Sequence, residues 1–500
     1  MRLACTVTRG EFGLEAPEVS VEVCLSGGLP GLGIVGLAET TVKESRERVR
    51  AAIGQCGLKF PNRRIVVNLA PADLPKSGGR FDLAIATGIL AASGQVPAER
   101  LGGIELLGEL GFTGALRPIA GLLPALLAAR RAGRTVVVPA ACATEAGLLR
   151  GADIRLADQL LPVLRFLQGA GTLPMPAACV AGPPPPGEDL RDIHGQHLAR
   201  RALEIAAAGG HNILFVGPPG TGKSMLARRL PGLLPPMTEE EAVESAALGS
   251  LAGHAPPRVW AWRPFRAPHH TATTASLVGG GSWPRPGEVS LAHHGVLFLD
   301  ELPEFARATL EALREPLETG HIAVARAART VEFPARFQLV AAMNPCPCGY
   351  HGDLARPCRC APEQIRRYQE RLSGPFLDRI DLRIPVSRGE IHLGDDGPGE
   401  SSAPVAGRVG RARDIQLARA GMPNARLPAP GVRHWCLPAA DGLRLLEQAA
   451  ARLQLSRRAC DSVLRVARTV ADLAGAPAVA SAHVAEALSL RTRCLRTPAA

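Results

Sequence analysis

The stretch Gly217-Pro-Pro-Gly-Thr-Gly222-Lys223-Ser224 constrains this chain more than any other. It follows the apolar run Asn212 to Val216 and opens a helical pattern, the context in which a glycine-rich turn reads as a phosphate loop. The glycines let consecutive backbone N–H groups curl around phosphate oxygens at a helix N-terminus. Gly217, Pro218, Pro219, Gly220, Thr221, Gly222, Lys223 and Ser224 are therefore expected to grip ATP. Lys223 would neutralise the β- and γ-phosphates and Ser224 would ligate Mg2+.

The run Gly295-Val-Leu-Phe-Leu-Asp300-Glu301 suits a buried parallel strand that presents acids at its carboxyl edge. Asp300 would hold the magnesium shell and Glu301 would polarise the attacking water. A carboxylate pair after an apolar strand also occurs at ordinary surfaces; the phosphate loop gives this one its meaning. A third strand, Phe337 to Met343, ends at Asn344, whose amide would orient that water or simply serve a strand-end turn. In Leu377-Asp378-Arg379-Ile380-Asp381 the arginine reads as a finger toward a neighbouring subunit's γ-phosphate, or as a local partner of Asp378 or Asp381. Ser456-Arg457-Arg458-Ala459 opens a C-terminal helix whose arginine would touch nucleotide, and composition does not choose between Arg457 and Arg458.

At 500 residues and 46% apolar content the chain supports cores rather than disorder. Short β-branched runs alternate with helical patterns from Val21 to about Val138, an α/β signature. Gly182-Pro-Pro-Pro-Pro-Gly187 cannot hold a helix and reads as a linker. The expected organisation is an α/β domain over 1–170, a linker over 171–188, a phosphate-loop core with a parallel sheet over 189–388, a Gly/Ser/Pro-rich linker over 389–406 and a helical domain over 407–500. Met1 to Gly10 show no secretory pattern, and Leu122 to Val138 is broken by Arg130, Arg131 and Arg134. The expectation is a cytoplasmic protein without a membrane anchor. The charge of +11 favours polyanions, although an Arg-rich proteome explains it equally well.

The order phosphate loop, Val-Leu-Phe-Leu-Asp-Glu, Ala-Met-Asn-Pro-Cys-Pro-Cys-Gly, Leu-Asp-Arg-Ile-Asp and Ser-x-Arg-Ala resembles the magnesium-chelatase-like AAA+ ATPases. Gly27-Gly-Leu-Pro-Gly, Val67-Asn-Leu-Ala-Pro-Ala-Asp-Leu-Pro-Lys and Phe265-Arg-Ala-Pro-His-His narrow the resemblance to the YifB/ComM group, over nearly the whole chain. The resemblance implies a homo-hexameric ATPase that moves single-stranded or branched DNA and drives branch migration during natural transformation. It assigns Arg379 as the finger, Arg458 as the lid sensor and Asn344 as the strand-end sensor. It likens Gly287 to His294 to a helix-2 insertion and Ala325 to Arg329 to a pore hairpin, where Arg326 and Arg329 would meet phosphate backbone. A solvated charged hairpin is the plainer reading of those two arginines. A chelatase-type protein-remodelling subunit is the alternative function.

The N-terminal part resembles the Lon-protease proteolytic domain, but Arg80 stands at the nucleophile position and Leu123 at the lysine base. Lys76 and Ser77 are adjacent and would point apart, a poor substitute for a dyad. A catalytically inactive domain is expected. Cys346, Cys348, Cys358 and Cys360 pair as two C-x-C units, giving four thiolates for a structural Zn2+ or a group of free thiols. His269, His270, His293 and His294 read as loop or packing histidines.

Overall fold

The computed structural model describes residues 2–36, 39, 42, 44–179, 188–257, 259–280, 284–326, 329–353, 355–387 and 399–491. The chain forms two compact units, one of 1–182 with 242–260 and one of 183–241 with 261–500. The expected linker residues 180–187 and 389–398 lie outside the described residues.

The first unit is built on a seven-stranded mixed sheet. Arg2–Arg9 and Glu18–Ser26 form an antiparallel pair, and Arg64–Ala70 extends it on the far side of Glu18–Ser26. Ile104–Leu106, Thr135–Pro139 and Ile154–Ala157 add in parallel beyond Arg2–Arg9. Asp82–Ala92 is buried along its whole length, as a helix without a polar stripe must be. Its Gly88 lets the strand beneath approach, since a Cβ there would come 2.7 Å from Val23 Cγ2. Residues 242–260, which the sequence places inside the 189–388 core, pack with this first unit. The backbone N–H of Gly121 donates to Ser250 O at 3.2 Å.

The second unit carries five parallel strands in the order Phe265–Arg266, Val296–Leu299, Gln338–Met343, Ile213–Val216, Leu382–Pro385. Every residue of Ile213–Val216, Val296–Leu299 and Gln338–Met343 is buried. Continuous apolar runs of this kind belong to sheets covered on both faces. The register pairs Val216 with Met343 and Leu299 with Ala341, so Gly217, Asp300 and Asn344 emerge at one carboxyl edge.

Helices Ser402–Ala420, Ala440–Leu453, Arg457–Leu473 and Ser481–Ser489 share that unit's core, with Val405, Val409, Val463 and Val470 buried in one cluster with Ile205 and Leu382. The linker expected over 389–406 is corrected at its end: 402–406 are the first turn of a helix. Pro404 is tolerated there because the first-turn N–H groups have no intrahelical acceptor. Ser402 fixes the start, its backbone N–H donating to Asp189 Oδ1 at 2.9 Å while its Oγ accepts from Leu190 N at 2.8 Å. Among the described residues no helix is long and apolar enough to cross a membrane.

Candidate nucleotide site

The phosphate loop turns from Val216 into helix Lys223–Arg229 through Gly220 (φ 76°) and Gly222 (φ 86°). Both lie in the left-handed region that glycine enters without strain. Gly217 needs its missing Cβ for another reason, because one would sit 2.0 Å from Val386 O of the adjacent strand's end. Thr221 Oγ1 donates to Pro218 O at 2.9 Å, closing the turn.

Lys223 Nζ donates to Gly217 O at 2.7 Å, Pro218 O at 2.8 Å and Asn344 Oδ1 at 3.2 Å. Burial pushes the Lys223 ammonium below its usual pKa, and Asp300 partly offsets this. Ser224 Oγ donates to Asp300 Oδ2 at 2.7 Å. Asp300 Oδ1 in turn accepts the Glu301 backbone N–H at 2.9 Å. Glu301 has φ 52°, a left-handed backbone on a non-glycine residue, of the kind that costs energy and gathers at functional sites. Its Oε2 lies 3.1 Å from His270 Nδ1. His270, read from the sequence as a loop or packing histidine, thus touches the acidic edge. The string Phe265-Arg-Ala-Pro-His-His was the signal available for it.

Lys223, Ser224, Asp300, Glu301 and Asn344 are therefore brought to one edge, and Arg379 and Arg458 are not. The Arg379 carbonyl accepts Asn212 Nδ2 at 3.0 Å, and Asp381 N donates to Asn212 O at 3.1 Å. Asn212 precedes the strand whose far end is Val216, so Arg379 sits one strand length, roughly 13 Å, from the phosphate loop. Its guanidinium pairs with Glu318 and donates through Nη1 to Pro375 O at 2.7 Å. Arg458 Nη1 meets the same Glu318 Oε2 at 3.2 Å. Burial raises the Glu318 carboxyl, but the two guanidiniums outweigh it and hold the group below the usual range. Arg457 instead pairs with Asp461 at 3.4 Å. Glu318, a lone acid on a four-residue helix, carried no sequence signal.

Cys346, Cys348, Cys358 and Cys360 place their sulfurs all within 4.8 Å of one another. Three of the separations are 3.4, 3.6 and 3.7 Å. A tetrahedral zinc with Zn–S bonds of about 2.3 Å sets sulfurs about 3.8 Å apart, so the four residues fit that ion. The Tyr350 backbone amide draws the Cys348 thiol down to about 6. The loop abuts the phosphate loop: a Cβ on Gly349 would lie 2.6 Å from Pro219 Cδ.

The hairpin His321–Arg326 with Arg329–Pro334 pairs in antiparallel register, ending in Arg326 opposite Arg329. The side chains of Arg326 and Arg329 lie outside the described residues. In the first unit, Arg80 is buried, donates to the Ala120 carbonyl and lies 3.4 Å from Glu11 Oε2. Leu123 offers only its backbone N–H, to Glu145 Oε1 at 3.2 Å and Ser250 Oγ at 3.4 Å. Lys76 is buried and bound to the Pro71 carbonyl, while Ser77 is half-buried.

Three family models match: "Magnesium chelatase, subunit ChlI" over 189–392, "Subunit ChlI of Mg-chelatase" over 21–142 and "Magnesium chelatase, subunit ChlI C-terminal" over 399–491. The uncharacterized protein YifB of Salmonella typhimurium is 50% identical over 494 residues, 98% of this chain and 97% of that one. The competence protein ComM of Haemophilus influenzae is 50% identical over 501 residues, 98% of each. The chain belongs to the YifB/ComM family. Lon protease 2 of Bacillus subtilis is 26% identical over 137 residues, 24% of each chain. The carboxyl-edge cluster lies within the stretch matched by the first of these models, and ATP and Mg2+ are the ligands the family implies.

Proposed function

We propose that this YifB/ComM-family chain is a ring-forming ATPase, a cytoplasmic homo-hexamer that translocates on single-stranded or branched DNA. The work proposed for it is branch migration as incoming DNA is integrated during natural transformation. The observation that carries the ring is the Arg379 carbonyl against Asn212, at the amino end of the central strand, with Arg458 joined to Arg379 through Glu318. A nucleotide on Lys223 gains their charge only if another copy supplies it. DNA as the track is supported by the name of the Haemophilus relative, "Competence protein ComM", and by the charge of +11.

Within a subunit, Lys223 exchanges the two loop carbonyls for β- and γ-phosphate oxygens. Asn344, released from Lys223, orients the attacking water, which Glu301 polarises. Ser224 and Asp300 are the residues that would hold Mg2+, which would supply neutralisation of the phosphate charge there. Arg379 acts as the finger and Arg458 as the lid sensor on the neighbour's γ-phosphate. Arg326 and Arg329 contact DNA backbone from the hairpin tip. The first unit serves as a scaffold without proteolysis, because Arg80 and Leu123 supply neither nucleophile nor base. Zinc on the four cysteines would be structural, since four protein ligands leave no open position.

A second reading, ATP-driven remodelling of a protein partner, is favoured by the chelatase descriptions of all three matching models. The deciding measurement is the ATPase rate without DNA and with single strands, duplex and a four-way junction, with Glu301→Gln as control. Stimulation by single strands or the junction, absent in the variant, supports the translocase. A flat response in a protein that also fails to bind DNA at low salt overturns it in favour of remodelling.

A further inference from the structure

Glu318 connects three parts of the proposed motor. It lies on helix Pro316–Thr319, directly before the hairpin His321–Pro334. That junction is stiff: Thr319 Oγ1 donates to Glu315 O at 3.0 Å and accepts the His321 backbone N–H at 3.1 Å. Ala335 N donates to Gly320 O at 2.8 Å, closing the hairpin base. Gly320 makes the corner at φ 76°. A displacement of the hairpin therefore carries Glu318 with it.

On its other side Glu318 binds Arg379 and Arg458 through the same oxygen. The segments that carry the two arginines are also tied together, Ser456 Oγ donating to Asp378 Oδ2 at 2.9 Å. They are thus presented as a pair. Arg379 is 10% exposed with its Nε buried and unpartnered, while Glu318 is 52% exposed. The carboxylate is the solvent-facing member. Its hydrogen bonds to guanidinium are of the same charge-assisted type as those of a phosphate oxygen, so carboxylate and γ-phosphate compete for the same donors.

We propose that Glu318 is a positioning residue, a clasp that withholds Arg379 and Arg458 from a neighbouring subunit's nucleotide until DNA loads the hairpin and draws the carboxylate away. The inference rests on the ring and DNA reading above. It supplies what that reading lacks, a physical link between the DNA-contacting hairpin and the hydrolytic arginines. Exchange of one ion pair for another needs no large movement, only a change in which anion faces the pair.

The test compares steady-state ATPase kinetics of the full chain, Glu318→Gln and Glu318→Asp, each with and without single-stranded DNA. Releasing the clasp should raise the DNA-free kcat of Glu318→Gln by at least about 5-fold, the low end of ordinary coupling between sites. Its KM for ATP should stay unchanged and its DNA stimulation should fall toward one. Glu318→Asp, which keeps the charge, should restore the wild-type ratio. Thermal melting that matches wild type excludes a folding defect, which is expected at a half-exposed position. A DNA-free kcat that is unchanged or lower, or a stimulation ratio that survives in Glu318→Gln, overturns the clasp. If DNA fails to stimulate the wild type, the DNA reading fails on its own, and the DNA-free kcat of Glu318→Gln still decides whether the arginines are withheld.

Discussion

Ser224 and Asp300 hold one another across the carboxyl edge of the sheet through a 2.7 Å hydrogen bond from hydroxyl to carboxylate. The two come from strand ends separated by Gln338–Met343 in the sheet order, so the bond measures how closely the strands and the phosphate loop agree in register. A hydroxyl and a carboxylate at hydrogen-bond distance are also a ready pair for one hard cation and its water shell. Asp300→Asn should preserve the hydrogen bond and remove the charge. We expect magnesium-dependent ATP hydrolysis to fall about 100-fold or more, with magnesium-free nucleotide binding retained. Titration of a fluorescent ATP analogue with and without Mg2+ checks this. Equal loss of affinity under both conditions contradicts a metal role for Asp300.

Glu301 is held in a left-handed backbone conformation with its side chain 55% exposed and facing His270. The strain persists because Asp300 Oδ1 accepts its backbone N–H. Glu301→Gln keeps shape and hydrogen bonding and removes the base. Turnover should drop by about 100-fold to 10,000-fold, with ATP affinity within a few-fold of wild type. Rapid-quench turnover beside equilibrium nucleotide binding separates the two effects, and a variant that still hydrolyses at more than a tenth of the wild-type rate counts against Glu301 as the base.

What sequence made legible follows from how local each feature is. Gly220, Gly222, Lys223 and Ser224 lie within five residues, and their pattern carries its own geometry. Asp300 and Asn344 were placed by apolar strands that had to end at a common edge. Glu318 and His270 escaped, because each matters only through a contact with a residue distant along the chain. The packing of segment 242–260 escaped for the same reason: its helix Glu239–Leu251 is amphipathically unremarkable, and the bonds of Gly121 and Leu123 to Ser250 reveal what it packs against. The Gly/Ser/Pro bias around 399–406 misled in the opposite direction, since a helix start uses the same residues as a linker.

The cysteine loop makes a quantitative expectation possible. Sulfur separations of 3.4 to 3.7 Å among Cys346, Cys348 and Cys358, with all four sulfurs within 4.8 Å of one another, suit one tetrahedral zinc. Purified protein should contain about one zinc per chain by atomic absorption, and Cys358→Ser should lower that content below half. Because Gly349 packs on Pro219, the same substitution should raise KM for ATP several-fold with a smaller effect on kcat. Zinc-free wild-type protein with unchanged melting and unchanged KM refutes both parts.

Glu145 gives a pH dependence whose sign is determined by its surroundings. Burial raises its carboxyl pKa, only partly offset by Ser250, the Leu123 amide and Arg80. A carboxyl with a raised folded pKa binds more protons folded than unfolded. Its contribution is therefore fully present below the unfolded carboxyl value, about 4.3, and is lost as pH rises through the higher folded value. Glu145→Gln is neutral at all pH, and its Oε1 still accepts from Leu123. The variant should be more stable than wild type at pH 8, and the advantage should shrink steadily as pH is lowered toward about 4.5. Arg80 provides the opposite control. It is buried and lies 3.4 Å from the one-third-exposed Glu11, so Arg80→Ala mainly leaves a cavity and should cost about 2 to 4 kcal/mol. Urea denaturation followed across pH separates the two: a pH-independent difference for Glu145→Gln would show that the carboxyl is already ionised at no cost in the fold.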